Sequence, residues 1–187
     1  MKKSIINIWG ILDVIYAKLM GLYNIKKTNQ DDSIIRVRFV KHWGSDITLE
    51  DGTTITKNDL LLKIHLHNVK FIKELSNIKS PIRKGMYAYR EVEQAMPGLA
   101  SFIETHSNYK EIKAVVGVTM LTKGTYRLGF EEKLIKNFCY RWIKYISQIP
   151  IYYLSNGCIN KNMFRKNRVK FLLQSKESIL KKNKLAS

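Results

Sequence analysis

Apolar residues recur at three- and four-residue intervals through Ile5, Ile8, Trp9, Leu12, Ile15, Tyr16, Leu19, Leu22 and Tyr23, which predicts an opening helix with one strongly apolar face. That face packs on the domain core, the first reading, or lies in a bilayer interface with Trp9, Tyr16 and Tyr23 at headgroup level and Lys2, Lys3 and Lys18 against phosphate. After the turn signal of residues 29–33, the run IIRVRFVKHWG alternates apolar and basic positions. A period of two predicts a strand with Ile35, Val37 and Phe39 facing inward and its basic positions in water. Asp46 to Glu50 reads as a second strand and Asp51-Gly52 as a hairpin turn into Thr53-Thr-Ile55; residues 56–59 then turn into a strand from Leu60 to Leu66.

Helical spacing returns from Lys70 to Leu75 and from Ile82 to His106, where Met86, Tyr89, Val92, Met96, Leu99 and Ile103 share a face. Pro97-Gly98 falls inside the second run and predicts a break there, hence two helices. Ile112 to Met120 is β-branched enough for a central strand, and Tyr126 to Phe130 reads as a shorter one. A helix from Lys133 to Ile149 stops before Pro150; strand-like Ile151 to Leu154, a loop at residues 155–157, a strand from Val169 to Leu173 and a final helix capped by Ser175 follow. The resulting class is α+β: an N-terminal helix, a small antiparallel sheet, then helices and further strands in one compact domain.

Composition makes that domain self-sufficient, since 187 residues with 45% hydrophobic content can bury a core without metal or disulfide staples. One domain over 1–187 is expected, with a basic strand-helix tail at 160–187. Charge changes the picture more: 33 Lys+Arg against 15 Asp+Glu give +18, a field that attracts anionic lipid, anionic glycan or nucleic acid. Nine basic residues between Lys161 and Lys184 face the single acid Glu177, a local charge of +8. Cys139 and Cys158 have neither zinc-site nor paired-framework spacing, which suits a reducing compartment. Asn7, Asp13 and Lys18 exclude a spanning N-terminal helix, and no small-residue cleavage site follows it. A cytoplasmic protein is expected, peripheral on the inner membrane if it is attached at all.

Four stretches, LEDGTTITKNDLLLKIHLHN (49–68), PGLASFIE (97–104), IKAVVGVTMLTKGTYRLGFE (112–131) and VKFLLQSKESILKK (169–182), stand in an order and spacing that resemble the YkoP-like family of Firmicutes. Members occur as small stand-alone proteins and as domains following polysaccharide deacetylases. The resemblance implies an accessory or binding module in envelope polysaccharide or lipid metabolism. The deacetylase catalytic domain, with its metal-binding aspartate and histidines, is missing from these residues. Deacetylation is therefore expected only from a separate partner.

Within IHLHN (64–68), His65 and His67 share one face of the predicted strand and could ligate a metal together. A third ligand would have to come from Asp59 or His42, and with so few carboxylate and soft ligands nearby no metal is predicted. The resemblance implies that His65 and Asn68 match the family motif, whereas His67 stands where other polar residues occur. His65, with Asn68 and Asp59, is the candidate general base and catalytic set; a histidine satisfied by backbone groups is the competing reading. LGFE (128–131) also occurs in GNAT acyltransferases, which makes a small acyltransferase with an acyl-CoA donor and a membrane-borne acceptor the alternative function. Met120 to Gly124 lacks the pyrophosphate-cradling pattern of that family, and otherwise no cofactor is predicted. Trp142, Lys144, Lys161, Arg165, Lys166 and Arg168 are the candidate anion or membrane contacts. Nucleic-acid binding rests on charge and on the basic-aromatic run 164–171, with no recognised motif.

Overall fold

The most strongly alternating runs of the sequence become the middle of a six-stranded sheet. The computed structural model describes residues 10, 13–27, 31–119, 124–135, 137–144 and 169–186. Helix α1 (13–19) precedes β1 (Tyr23–Lys26) and β2 (Asp32–Lys41), and a two-stranded hairpin, β3 (Ile47–Thr48) and β4 (Thr54–Ile55), precedes β5 (Leu60–Leu66). Helices α2 (Asn68–Ser76) and α3 (Pro81–Thr105) lead to β6 (Ile112–Thr119), a 3-10 turn (Thr125–Leu128), β7 (Glu131–Leu134), α4 (138–144), β8 (Lys170–Ser175) and α5 (Lys176–Ala186). The sheet order is β1-β2-β5-β6-β8-β7, and β5–β6 is the parallel pair because α2 and α3 carry the chain back across the sheet.

Strand alternation divides the residues between two faces. Ile35, Val37, Leu62, Val115 and Leu172 pack against Phe71 and Leu75 of α2, Ala95, Leu99 and Ile103 of α3, and Ile179 of α5. On the opposite face, Leu61, Ala114, Val116 and Leu173 lie under Leu49 and Ile55 of the hairpin. That hairpin turns at Asp51-Gly52 as expected: Gly52 has φ +84, and the Asp51 carboxylate accepts from the Thr53 amide at 3.0 Å. The last helix also starts where the sequence places it, with the Ser175 hydroxyl accepting from the Ser178 amide at 3.0 Å.

Three local expectations give way to tertiary contacts. The chain does not break at Pro97: α3 runs through it for 25 residues, because Ala95, Leu99, Ala100 and Ile103 are all fully buried on either side and outweigh one missing amide donor. Gly98 allows the close seat. A Cβ built there would stand 1.8 Å from the Lys26 carbonyl oxygen of β1. The opening helix ends before Tyr23, which instead starts β1 and pairs with Val37. Residues 126–130 hold a 3-10 turn rather than a strand, and the predicted helix from Lys133 starts later, since Glu131–Leu134 pairs with β8 at the sheet edge. Residues 145–168, with the expected strand at 151–154 and loop at 155–157, lie outside the described residues.

Candidate functional site

Arg36 and Arg38 point away from the helix-packed core, yet they do not simply enter water. Cross-strand register sets Arg36 opposite His65 and Arg38 opposite Lys63, so four basic or titratable side chains form one block on the hairpin side of the sheet. Two helices bracket that block. From α1, the Asp13 carboxylate accepts from Arg36 Nη1 at 2.6 Å and the Tyr16 ring centre is 6.5 Å from that of His65, while in the turn that follows the helix Met20 Sδ lies 3.2 Å from Arg38 Nη1. From α4, the Tyr140 hydroxyl accepts from Lys63 Nζ at 3.4 Å, and Lys144 Nζ lies 5.3 Å from the Tyr140 ring centre. Asn137 starts α4 by accepting the Tyr140 amide on its side chain at 2.9 Å, and the Tyr140 ring stacks on Phe171 of β8.

The electrostatics follow from this crowding. Lys63 is 8% exposed, and burial, then the charges of Lys144 and Arg38, push its ammonium down to about 8. Burial and then Arg38 also lower Lys144. The hydrogen bond between the two lysines lowers Lys63 further and offsets part of the fall at Lys144. Burial first, then Lys63, Arg38 and Lys144, lower His65 to about 3, so its ring is neutral at physiological pH. Among the described residues no carboxylate lies within ion-pair reach of Arg38 or Lys63. Buried Arg38 Nε and His65 Nε2 have no hydrogen-bond partner among the described residues.

This imbalance has a measurable consequence. Lys63 is depressed in the folded state, so between pH 8 and 10.5 the unfolded chain binds more protons and stability rises with pH; below 8 the folded protein carries the cost of a buried charge. Lys63→Met is expected to stabilise the protein at pH 7 by about 1 kcal/mol after allowance for solvent screening, and to flatten the rise above pH 8. Equilibrium urea unfolding at pH 7 and 9.5 measures both.

The sequence-derived candidates are only partly brought together. His65 lies inside the basic block. Asp59 sits at the opposite end of β5, six positions and about 20 Å of extended strand away, where its carboxylate accepts from the Thr56 amide at 2.7 Å and the Thr56 hydroxyl at 3.2 Å. Asn68 is the first residue of α2, one position beyond His67, which caps that helix. Burial and then Arg36 keep the His67 ring below its ordinary range, and its Nδ1 accepts from the Lys70 amide at 3.5 Å. His42 lies beyond the far end of β2 with its ring 3.0 Å from the Ser45 carbonyl. Among the described residues no three His, Cys, Asp or Glu side chains are grouped as metal ligands. Lys144 joins the block; Trp142 is an exposed neighbour on α4, edge-on to Phe138. Lys161, Arg165, Lys166 and Arg168 lie outside the described residues. Sequence reasoning missed Arg38 and Lys63, although their alternation with Val37, Phe39, Leu62 and Ile64 places them on the face of His65.

Around the block, the helices leave apolar side chains in solvent: Val14, Ile15 and Leu19 on α1, and Phe138, Trp142 and Ile143 on α4. Among the described residues no helix is long and apolar enough to cross a membrane. The family model for the YkoP domain matches residues 2–183. The uncharacterized protein YkoP of Bacillus subtilis (strain 168) is 41% identical over 181 residues, covering 97% of each chain. No solved structure matches significantly.

Proposed function

The chain belongs to the YkoP domain family, and on that premise we propose that it is a binding module of the cell envelope that docks on an anionic membrane surface. One observation carries this reading: the Arg38–Lys63–His65–Lys144 block lies between two helices that expose Leu19 (78%) and Ile143 (63%) beside it. Apolar side chains entering the headgroup region and cations meeting phosphate are the two halves of interfacial binding, and +18 draws the molecule to such a surface from a distance. In this role the module acts in envelope polysaccharide or lipid metabolism beside a separate polysaccharide deacetylase, the arrangement to which the family resemblance points. Vesicles containing phosphatidylglycerol are expected to carry the protein upward in flotation, whereas phosphatidylcholine vesicles leave it at the bottom. Failure to float with either removes the reading.

A second reading, acyl transfer from an acyl-CoA donor with His65 as base, has its own observation. Among the described residues, pairing between β5 and β6 covers Leu60–Lys63 with Ile112–Val116, yet both strands run on, Ile64–Leu66 along β2 and Gly117–Thr119 along β8. The β5–β6 ladder ends there among the described residues, and an amide-bearing arm lying in that wedge would follow the direction of the two strands. With a pKa near 3, His65 is a weak base until a bound anion offsets its cationic neighbours. Acyl transfer that survives in His65→Ala removes this reading.

A further inference from the structure

We infer that Arg38, Lys63 and Lys144, with the imidazole of His65, form a subsite for a single phosphoryl group. The inference deepens the membrane-surface reading, on which it rests for the setting in which such a group is met. Two buried nitrogen atoms carry it: Arg38 Nε and His65 Nε2 have no partner within the described protein, although unpaired buried polar atoms are uncommon in folded proteins. A ligand oxygen reaching both supplies what the fold withholds. Arg38 adds a planar fork able to hold two oxygens at once, and Lys63 and Lys144 add ammonium donors.

The charge favours phosphate over carboxylate. Three cationic side chains meet in one place, and a dianion offsets two of those charges where a carboxylate offsets one. A phosphoryl group also offers three oxygens in a tetrahedral spread, which suits donors arriving from β2, β5 and α4. Among the described residues, β2 contributes Arg36 and Arg38 to the surroundings, β5 contributes Lys63 and His65, α4 contributes Tyr140 and Lys144, and α1 contributes Tyr16 and the Asp13 carboxylate already held by Arg36.

Binding therefore takes up protons. A dianion beside Lys63 favours its ammonium form, so at pH 8, where Lys63 is half protonated in the free protein, filling the subsite draws in about half a proton from buffer. Neutral His65 donates one N–H and needs no charge.

The test is isothermal titration at pH 8 of the full chain with inorganic phosphate and with sn-glycerol 3-phosphate, each in two buffers of different ionisation enthalpy. Saturable binding with net proton uptake, weakened at least tenfold in Arg38→Met and in Lys63→Met, supports the subsite. Binding of glycerol phosphate marks a phosphomonoester lipid headgroup, which carries the second charge that a phosphodiester headgroup lacks, as the source; binding of inorganic phosphate alone marks the free anion. No saturable binding of either, or binding unchanged in Lys63→Met, overturns it. Circular dichroism of both variants confirms that they are folded. The titrations use no vesicles, so their failure leaves flotation free to succeed, and failed flotation leaves phosphate binding intact.

Discussion

Gly98→Ala is expected to lower unfolding stability by about 3 kcal/mol, against the usual benefit of replacing a helical glycine by alanine. The alanine methyl would stand 1.8 Å from the Lys26 carbonyl oxygen, a backbone atom that can retreat only if α3 lifts from β1. Lifting α3 also loosens Ile25, Leu99 and Ile103 in the main core. Gly85, on the same helix with nothing within 4 Å of an added Cβ, is the control. Gly85→Ala should gain about 0.5–1 kcal/mol from helix propensity alone. Urea unfolding of both variants measures the contrast, and equal effects at the two positions would refute the close seat of α3 on β1.

Acid is expected to weaken the fold through His65. Its folded pKa of about 3 lies below the ordinary 6.5, so between those values the unfolded chain binds more protons and stability falls as pH falls. On the order of 2 kcal/mol is lost by pH 4.5, discounted for the ring's partial access to solvent. His65→Gln keeps a neutral polar side chain and should remove that part of the slope. Denaturation midpoints of the two proteins at pH 7, 5.5 and 4.5 make the comparison, with the carboxylates common to both cancelling. Parallel slopes would mean that His65 titrates as it does in water.

Much of the fold is legible in the alternation of β2, β5 and β6, the Asp51-Gly52 turn and the Ser175 cap, because strand period, turn chemistry and capping act over a few residues. Pro97-Gly98 misleads for the opposite reason: its local signal is a break, while the decisive contact, Lys26, is more than 70 positions away in the chain. Alternation in IIRVRFVKHWG separates two faces without saying what covers the second. Arg36 is only 7% exposed because Asp13 of α1 folds over it, and a basic period-two pattern cannot announce such a lid. Asp59 is close to His65 in sequence and belongs to the other end of the strand, a distance the extended backbone imposes. The site was legible in His65 and Lys144 separately; what joins them to Arg38 and Lys63 is strand register and the packing of α4.

Membrane docking is tested most directly by flotation of the Leu19→Glu/Ile143→Glu double variant on phosphatidylglycerol vesicles, beside an Ile82→Glu/Met86→Glu control. Both pairs are exposed and both variants lose two units of the same positive charge, yet Ile82 and Met86 lie on α3 while Leu19 and Ile143 flank the basic block. The membrane-docking account predicts that the first variant loses most of its vesicle binding while the control floats like the unaltered protein. Equal flotation of all three would contradict it and reduce the attraction to net charge.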